Sequence, residues 1–252
     1  MAGKNVVAKD EDQDLAMFGG DRPDYVTDNG RGSEEVSSND MSLPRLSIIQ
    51  DLSPQRKKDK PEYIDGATEG MVFNTATNEL FDKPVIFVPC YMRAEYVAWK
   101  DRDQGGGFGG AFASEAEAEE WVSSQENSAA WEVNYTNQHF GIMVMPGHTP
   151  AAPKLQDVVI SMSRSQLKVS RKWNTMIQQA GGDRFSHAYK LSVVQDRSEK
   201  GEYYNWSVVM LGFVPKEIFD RAEAVYEAVK TGTRDVSRKD EGRAERTDPN
   251  DM

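Results

Sequence analysis

Between Leu43 and Val214 apolar and polar positions mostly alternate, the period of half-buried strands. Residues 45–49 form a short strand candidate. Residues 70–73 and 79–81 flank Asn74-Thr75-Ala76-Thr77-Asn78, whose Asn and Thr predict a hairpin turn. Val85–Lys100 is the longest extended stretch, bent or bulged at Pro89 because proline cannot donate to a ladder. The glycine-rich residues 104–110 predict a mobile connector. Ser114 with Glu117 forms a capping box that opens a short helix over 114–123. Strands are predicted at 131–136, 140–145 and 158–162. A second hairpin pairs 187–195 with 203–214 around 196–201. The period changes to 3.6 over 163–180, ended by Gly181-Gly182, and over Lys216–Lys230, opened by Pro215. The last helix turns Ile218, Phe219, Ala222, Val225, Tyr226 and Val229 to one face. These elements predict a mainly β fold with α: an OB-like antiparallel barrel or sheet with helices packed on it.

Charge changes the picture of the 163–180 helix. At 100° per residue, Arg164, Lys168, Arg171 and Lys172 fall within roughly a 100° arc. Val169, Trp173, Met176, Ile177 and Ala180 face the other way, toward a core. The segment has no acidic residue, although the chain carries a formal net charge of −11. Helices usually mix charges on a solvated face, and a face without carboxylates suits a polyanion. The alternative is a solvated basic face with no ligand. Residues 1–42 hold four basic and ten acidic side chains without periodicity, and predict a disordered arm. Residues 232–252 predict a second charged tail, which leaves one folded domain over 43–231. Acidic arms of this kind can compete with DNA for a basic groove.

Candidate catalysis is sparse. His139, His148 and His187 show no metal-ligand spacing, and no GxSxG or phosphate-cradling glycine motif is present. The single cysteine, Cys90, lies in an apolar run and excludes an intramolecular disulfide. The expectation is a protein without enzymatic activity, metal or cofactor. Without a stretch long enough for a membrane span or a secretory signal, it is expected in a reducing cytoplasm.

Single-stranded nucleic acid binding needs aromatic faces and a positive groove. Tyr91, Arg93 and Trp99 share one parity of the long strand, Tyr96 and Lys100 the other, with Arg102 and Phe108 at the edge of the glycine segment. Tyr189 and Lys190 face Tyr203, Tyr204 and Trp206 across the second hairpin. The alternative for each aromatic is a core or cross-strand role.

Five stretches carry a resemblance: LPRLSIIQDLSPQ, GMVFNTATNELF, VIFVPCYMRAEYVAWKDRDQGGGF, SMSRSQLKVSRKWNTMI and YKLSVVQDRSEKGEYYNWSV. Over about residues 43–230 the chain resembles a family of small proteins encoded by tailed bacteriophages. That resemblance implies a replication-module or recombination protein that binds single-stranded DNA through an OB-type barrel, in the host cytoplasm. It also implies phage replication proteins as partners of the charged tails. The better-known phage single-stranded DNA-binding proteins end in an acidic tail with a terminal aromatic. This chain ends Asp248-Pro249-Asn250-Asp251-Met252, with Arg238, Arg243 and Arg246 interspersed. The expected function is sequence-independent single-stranded DNA binding, with homo-oligomerisation left open. The alternatives are a virion-associated or assembly protein, and an acidic module acting on a host enzyme.

Overall fold

A computed structural model describes residues 31–36, 43–101, 104–145, 154–198 and 201–233. Residues 31–36 belong to one compact unit, Met1–Val36, and the remainder to a second, Ser37–Met252. In the first, Val36 donates its N–H to the Ser33 carbonyl at 3.2 Å, closing a turn. The disordered arm predicted over 1–42 lies outside the described residues apart from 31–36. So does the tail predicted over 232–252, apart from its first two residues.

The second unit is mainly β. Strands β1 (Leu46–Ile48), β2 (Val72–Asn74) and β3 (Leu80–Phe81) form a small antiparallel sheet. Asn74 Oδ1 accepts from the N–H groups of Ala76 and Thr77, the local bonding expected of that turn. The larger sheet contains β4 (Val85–Lys100), β5 (Gly107–Phe112), β6 (Trp131–Val144), β7 (Leu155–Ser163), β8 (His187–Ser198) and β9 (Gly201–Phe213). Its order is β7-β6-β4-β8-β9, with β5 beside the C-terminal half of β4, and every pair is antiparallel. Among the described residues β7 and β9 do not meet, so the sheet stays open and no barrel closes.

Three helices complete the unit: α1 (Glu115–Ser123), α2 (Leu167–Ala180) and α3 (Lys216–Lys230). One face of the sheet packs Phe87, Met143, Ile160 and Tyr189 against Trp173 and Ile177 of α2 and Leu46 and Phe81 of the small sheet. The opposite face packs Val88, Cys90, Phe140 and Val159 against Ile218, Ala222, Val225 and Val229 of α3. The predicted apolar stripe of the last helix is therefore its buried side. Cys90 is buried as expected, and burial pushes its thiol up to about 12, a neutral and inert state.

Three elements differ from expectation. The strands predicted at 131–136 and 140–145 are one, β6, because Asn137, Gln138 and His139 between them are buried and hydrogen-bonded rather than turned to solvent. The predicted glycine connector is largely a strand, β5. Gly109 is required by close approach: a Cβ there would lie 2.5 Å from both Trp121 and Trp131. Third, the helix predicted from Ser163 begins as a 3-10 turn, Arg164–Gln166, with Arg164 at φ 48°. The bulge predicted at Pro89 is present, as a register shift between Pro89 and Tyr91.

Candidate nucleic-acid interface

The left-handed backbone of Arg164 removes it from the α2 helix face. Its guanidinium reaches β6, donating to Glu132 Oε2 at 2.6 Å and Asn134 Oδ1 at 3.0 Å. Lys168 is exposed but engaged: its ammonium donates to Asp196 of β8 and, at 3.4 Å, to the Tyr203 hydroxyl. The hydrogen bond from Lys168 holds the Asp196 carboxyl down to about 2, and the same contact raises the Lys168 pKa. Arg171 and Lys172 are exposed, with no side-chain partner among the described residues. The predicted four-cation stripe thus divides into two ion-paired residues and two available ones.

Exposed ion pairs contribute little to stability. Asp196→Asn should therefore lower it by less than about 1 kcal/mol. It should also return the Lys168 ammonium toward its ordinary range. An NMR titration of the lysine side chains checks this, and an unmoved Lys168 would contradict the pairing.

The strand aromatics separate as sharply. Tyr189 and Trp206 are 0% and 2% exposed. Both are core residues, which corrects the expectation that they present faces to bases: the β8–β9 register puts them on the side covered by α2. Tyr204 is half-buried, and its ring lies against Gly70, where a Cβ would be 2.9 Å away. Lys190 is exposed on the other face, between Ile86 and Val209 in register. Arg102 lies outside the described residues.

Beyond both core layers, the C-terminal half of β4 continues with β5 and the start of β6. Trp99 pairs with Phe108 and with Glu132, and the Trp99 and Phe108 rings meet edge-on at 5.6 Å, both half-buried. Arg164 joins this row through Glu132. Arg93 shares the parity of Trp99, sits 5.0 Å over the Phe140 ring and contacts Glu95 at 3.5 Å. The structure therefore brings Arg93, Trp99, Phe108 and Arg164 to one face, with Glu95 and Glu132 among them. On the reverse face Lys100 lies 5.9 Å over the Trp131 ring, and Tyr96 meets Tyr135 at 5.2 Å.

One buried cluster escaped the sequence reading. His139 stacks on Trp173 at 4.7 Å, its Nε2 2.8 Å from Ser170 Oγ and its Nδ1 3.0 Å from Arg184 Nη2. Asn137 Nδ2 also donates to Ser170 Oγ, at 2.8 Å. The spacing is that of a base and a nucleophile, but the polarity is reversed. A guanidinium can only donate, so Nδ1 accepts and Nε2 carries the proton. The imidazole then donates to the serine hydroxyl instead of withdrawing its proton. The hint in the sequence was the polar triplet Asn137-Gln138-His139, which interrupts the apolar–polar alternation of the strand just before its apolar end. Among the described residues no three His, Cys, Asp or Glu side chains group as metal ligands. No helix there is long and apolar enough to cross a membrane.

A family model described as Pam3 phage gp34-like protein matches residues 12–235. No curated protein and no solved structure matches the chain.

Proposed function

The chain belongs to the Pam3 phage gp34-like family, and from that premise we propose that it binds single-stranded DNA, independently of sequence, in phage replication or recombination. The observation that carries this reading is the solvent face of α2. Its exposed residues are Lys168, Arg171, Lys172, Thr175, Gln178 and Gln179, without one carboxylate, on a chain of net charge −11. Arg171 and Lys172 would neutralise phosphates. The half-buried Trp99–Phe108 pair would stack on bases, at roughly 1–3 kcal/mol per base. On this reading the protein is a binding module and carries out no bond chemistry.

The test is a fluorescence-anisotropy titration with oligo-dT across a salt series. Arg171→Ala with Lys172→Ala should weaken binding equally for all sequences and flatten the salt slope by about 0.7 log units per lost contact. Stability should stay within about 0.5 kcal/mol, because both side chains are exposed and Ala favours helix. Binding should quench Trp99 and leave the core residues Trp173 and Trp206 unaffected. An unchanged slope, or equal affinity for duplex DNA, would sink the reading. A second reading, an assembly protein of the phage, draws support from the end of β9.

A further inference from the structure

The two ends of the large sheet are treated differently. At β7 the outer edge is occupied: Val159 N–H donates to the Pro44 carbonyl at 2.9 Å, and Arg45 bridges the same residue. At β9 the occupation stops early. Gln50 reads the outer edge at Tyr204 with its side-chain amide, accepting from the N–H and donating to the C=O, both at 2.8 Å. Asn205 Oδ1 then accepts from the Trp206 N–H at 2.8 Å. Val208 and Met210 share the parity of Tyr204, so their N–H and C=O groups also turn outward. Neither backbone has an outer partner among the described residues.

Side chains around this bare edge are apolar on both faces. Val209, Met210, Leu211 and Phe213 are 46%, 44%, 52% and 81% exposed. Consecutive exposed residues mean that neither face of the strand is covered there. From Tyr203 to Phe213 the strand has no charged residue and no proline, two of the devices by which natural edges are kept from pairing; its one irregularity is at Leu211, where the β8–β9 register passes from Tyr189–Met210 to Ala188–Gly212. In a chain of net charge −11 this is a stretch where two copies can meet without local repulsion.

We propose that β9 pairs antiparallel with β9 of a second copy, about a two-fold axis at Val209. The register follows from the outward parity. Val208 of one copy opposes Met210 of the other and exchanges both backbone hydrogen bonds with it. The two-fold repeats the exchange, and Val209 meets its own counterpart in the close, non-hydrogen-bonded position. The regular part of β9 ends at Met210, so the pairing is centred on Val208 to Met210, and each of those cross-strand pairs is uncharged. A DNA strand fits this edge poorly, because among the described residues Lys190 is the one cation on its open face in register with it. The pairing would join the two large sheets into one. It is short and belongs with small, reversible interfaces, so monomer and dimer should exchange with protein concentration.

Sedimentation velocity of the full chain over a concentration series tests this. The wild type should approach twice the monomer mass, more completely as salt screens the net charge. Val209→Lys and Val209→Glu should each be monomeric, because each opposes like charges across the axis. Their equimolar mixture should regain the dimer, which a folding defect could not imitate. Circular dichroism of each variant should match the wild type, since Val209 is exposed. A wild type that stays monomeric, a Val209→Lys dimer, or a mixture that stays monomeric would each overturn the proposal. A monomeric wild type with the Val208 and Met210 amides protected from hydrogen exchange would assign the edge to a different occupant.

Discussion

Trp173→Ala should cost the domain about 3–5 kcal/mol, the range for truncating a buried Trp or Phe. Trp173 is fully buried in the layer between α2 and the sheet. Its ring meets Phe87 and Tyr189 edge-on, both at 5.6 Å, and stacks on His139. Removing it would strip three ring contacts and leave a void lined partly by polar groups. Trp173→Phe should cost roughly half as much or less, because a ring is retained and the indole N–H, buried without a partner among the described residues, disappears. Urea denaturation of both variants measures the difference. A loss for Trp173→Ala within about 1 kcal/mol would mean that Trp173 does not sit at a packed centre.

The direction of Trp173 was legible in the sequence, because helical angle alone separates it from Lys168 and Arg171. So were the extent of α3, the second hairpin and the strand-rich, antiparallel character of the sheet. Each rests on a local signal: a period, a cap or a turn. The Ser114–Glu117 box is there, with Ser114 Oγ accepting from Glu117 N–H at 3.3 Å. The parity of Arg93 and Trp99 also survived, since the register shift at Pro89 falls before both.

What sequence could not give was the outcome of tertiary competition. Arg164 shares an ideal helix face with Lys168 on paper, but its backbone turns left-handed and its side chain is claimed by Glu132, thirty-two residues away. Lys168 finds Asp196 in a hairpin whose approach no local pattern announces. Tyr189 and Trp206 have the composition of a stacking platform, and only the face covered by α2 makes them core. The glycine segment is a strand through its pairing with β4, and its Gly109 leaves two tryptophans, one on α1 and one on β6, the space a Cβ would fill.

Acid should destabilise the fold through His139. Burial, with Arg184 adding repulsion, holds its imidazole well below the ordinary 6.5, so the folded protein keeps this side chain neutral. Arg184 remains a cation at neutral pH, its own pKa lowered by burial to about 10. Cys90 and Tyr189 nearby are pushed upward by burial and stay protonated throughout the acid range. In the unfolded chain the same imidazole takes a proton as pH drops through about 6.5. The unfolded state then binds a proton that the folded state refuses, and stability falls by up to about 1.4 kcal/mol per pH unit. The contribution is complete above 6.5 and is lost progressively below it, down to the folded-state pKa. His139→Gln should be less stable at neutral pH, because the stack on Trp173 and the bonds to Ser170 and Arg184 are disturbed. It should also lack the His139 component of the slope. Urea denaturation of both proteins between about pH 7.5 and pH 4.5 separates this from general acid unfolding. A wild-type slope below pH 6.5 no steeper than that of His139→Gln would show that the buried imidazole is protonated without cost, against its place in the core.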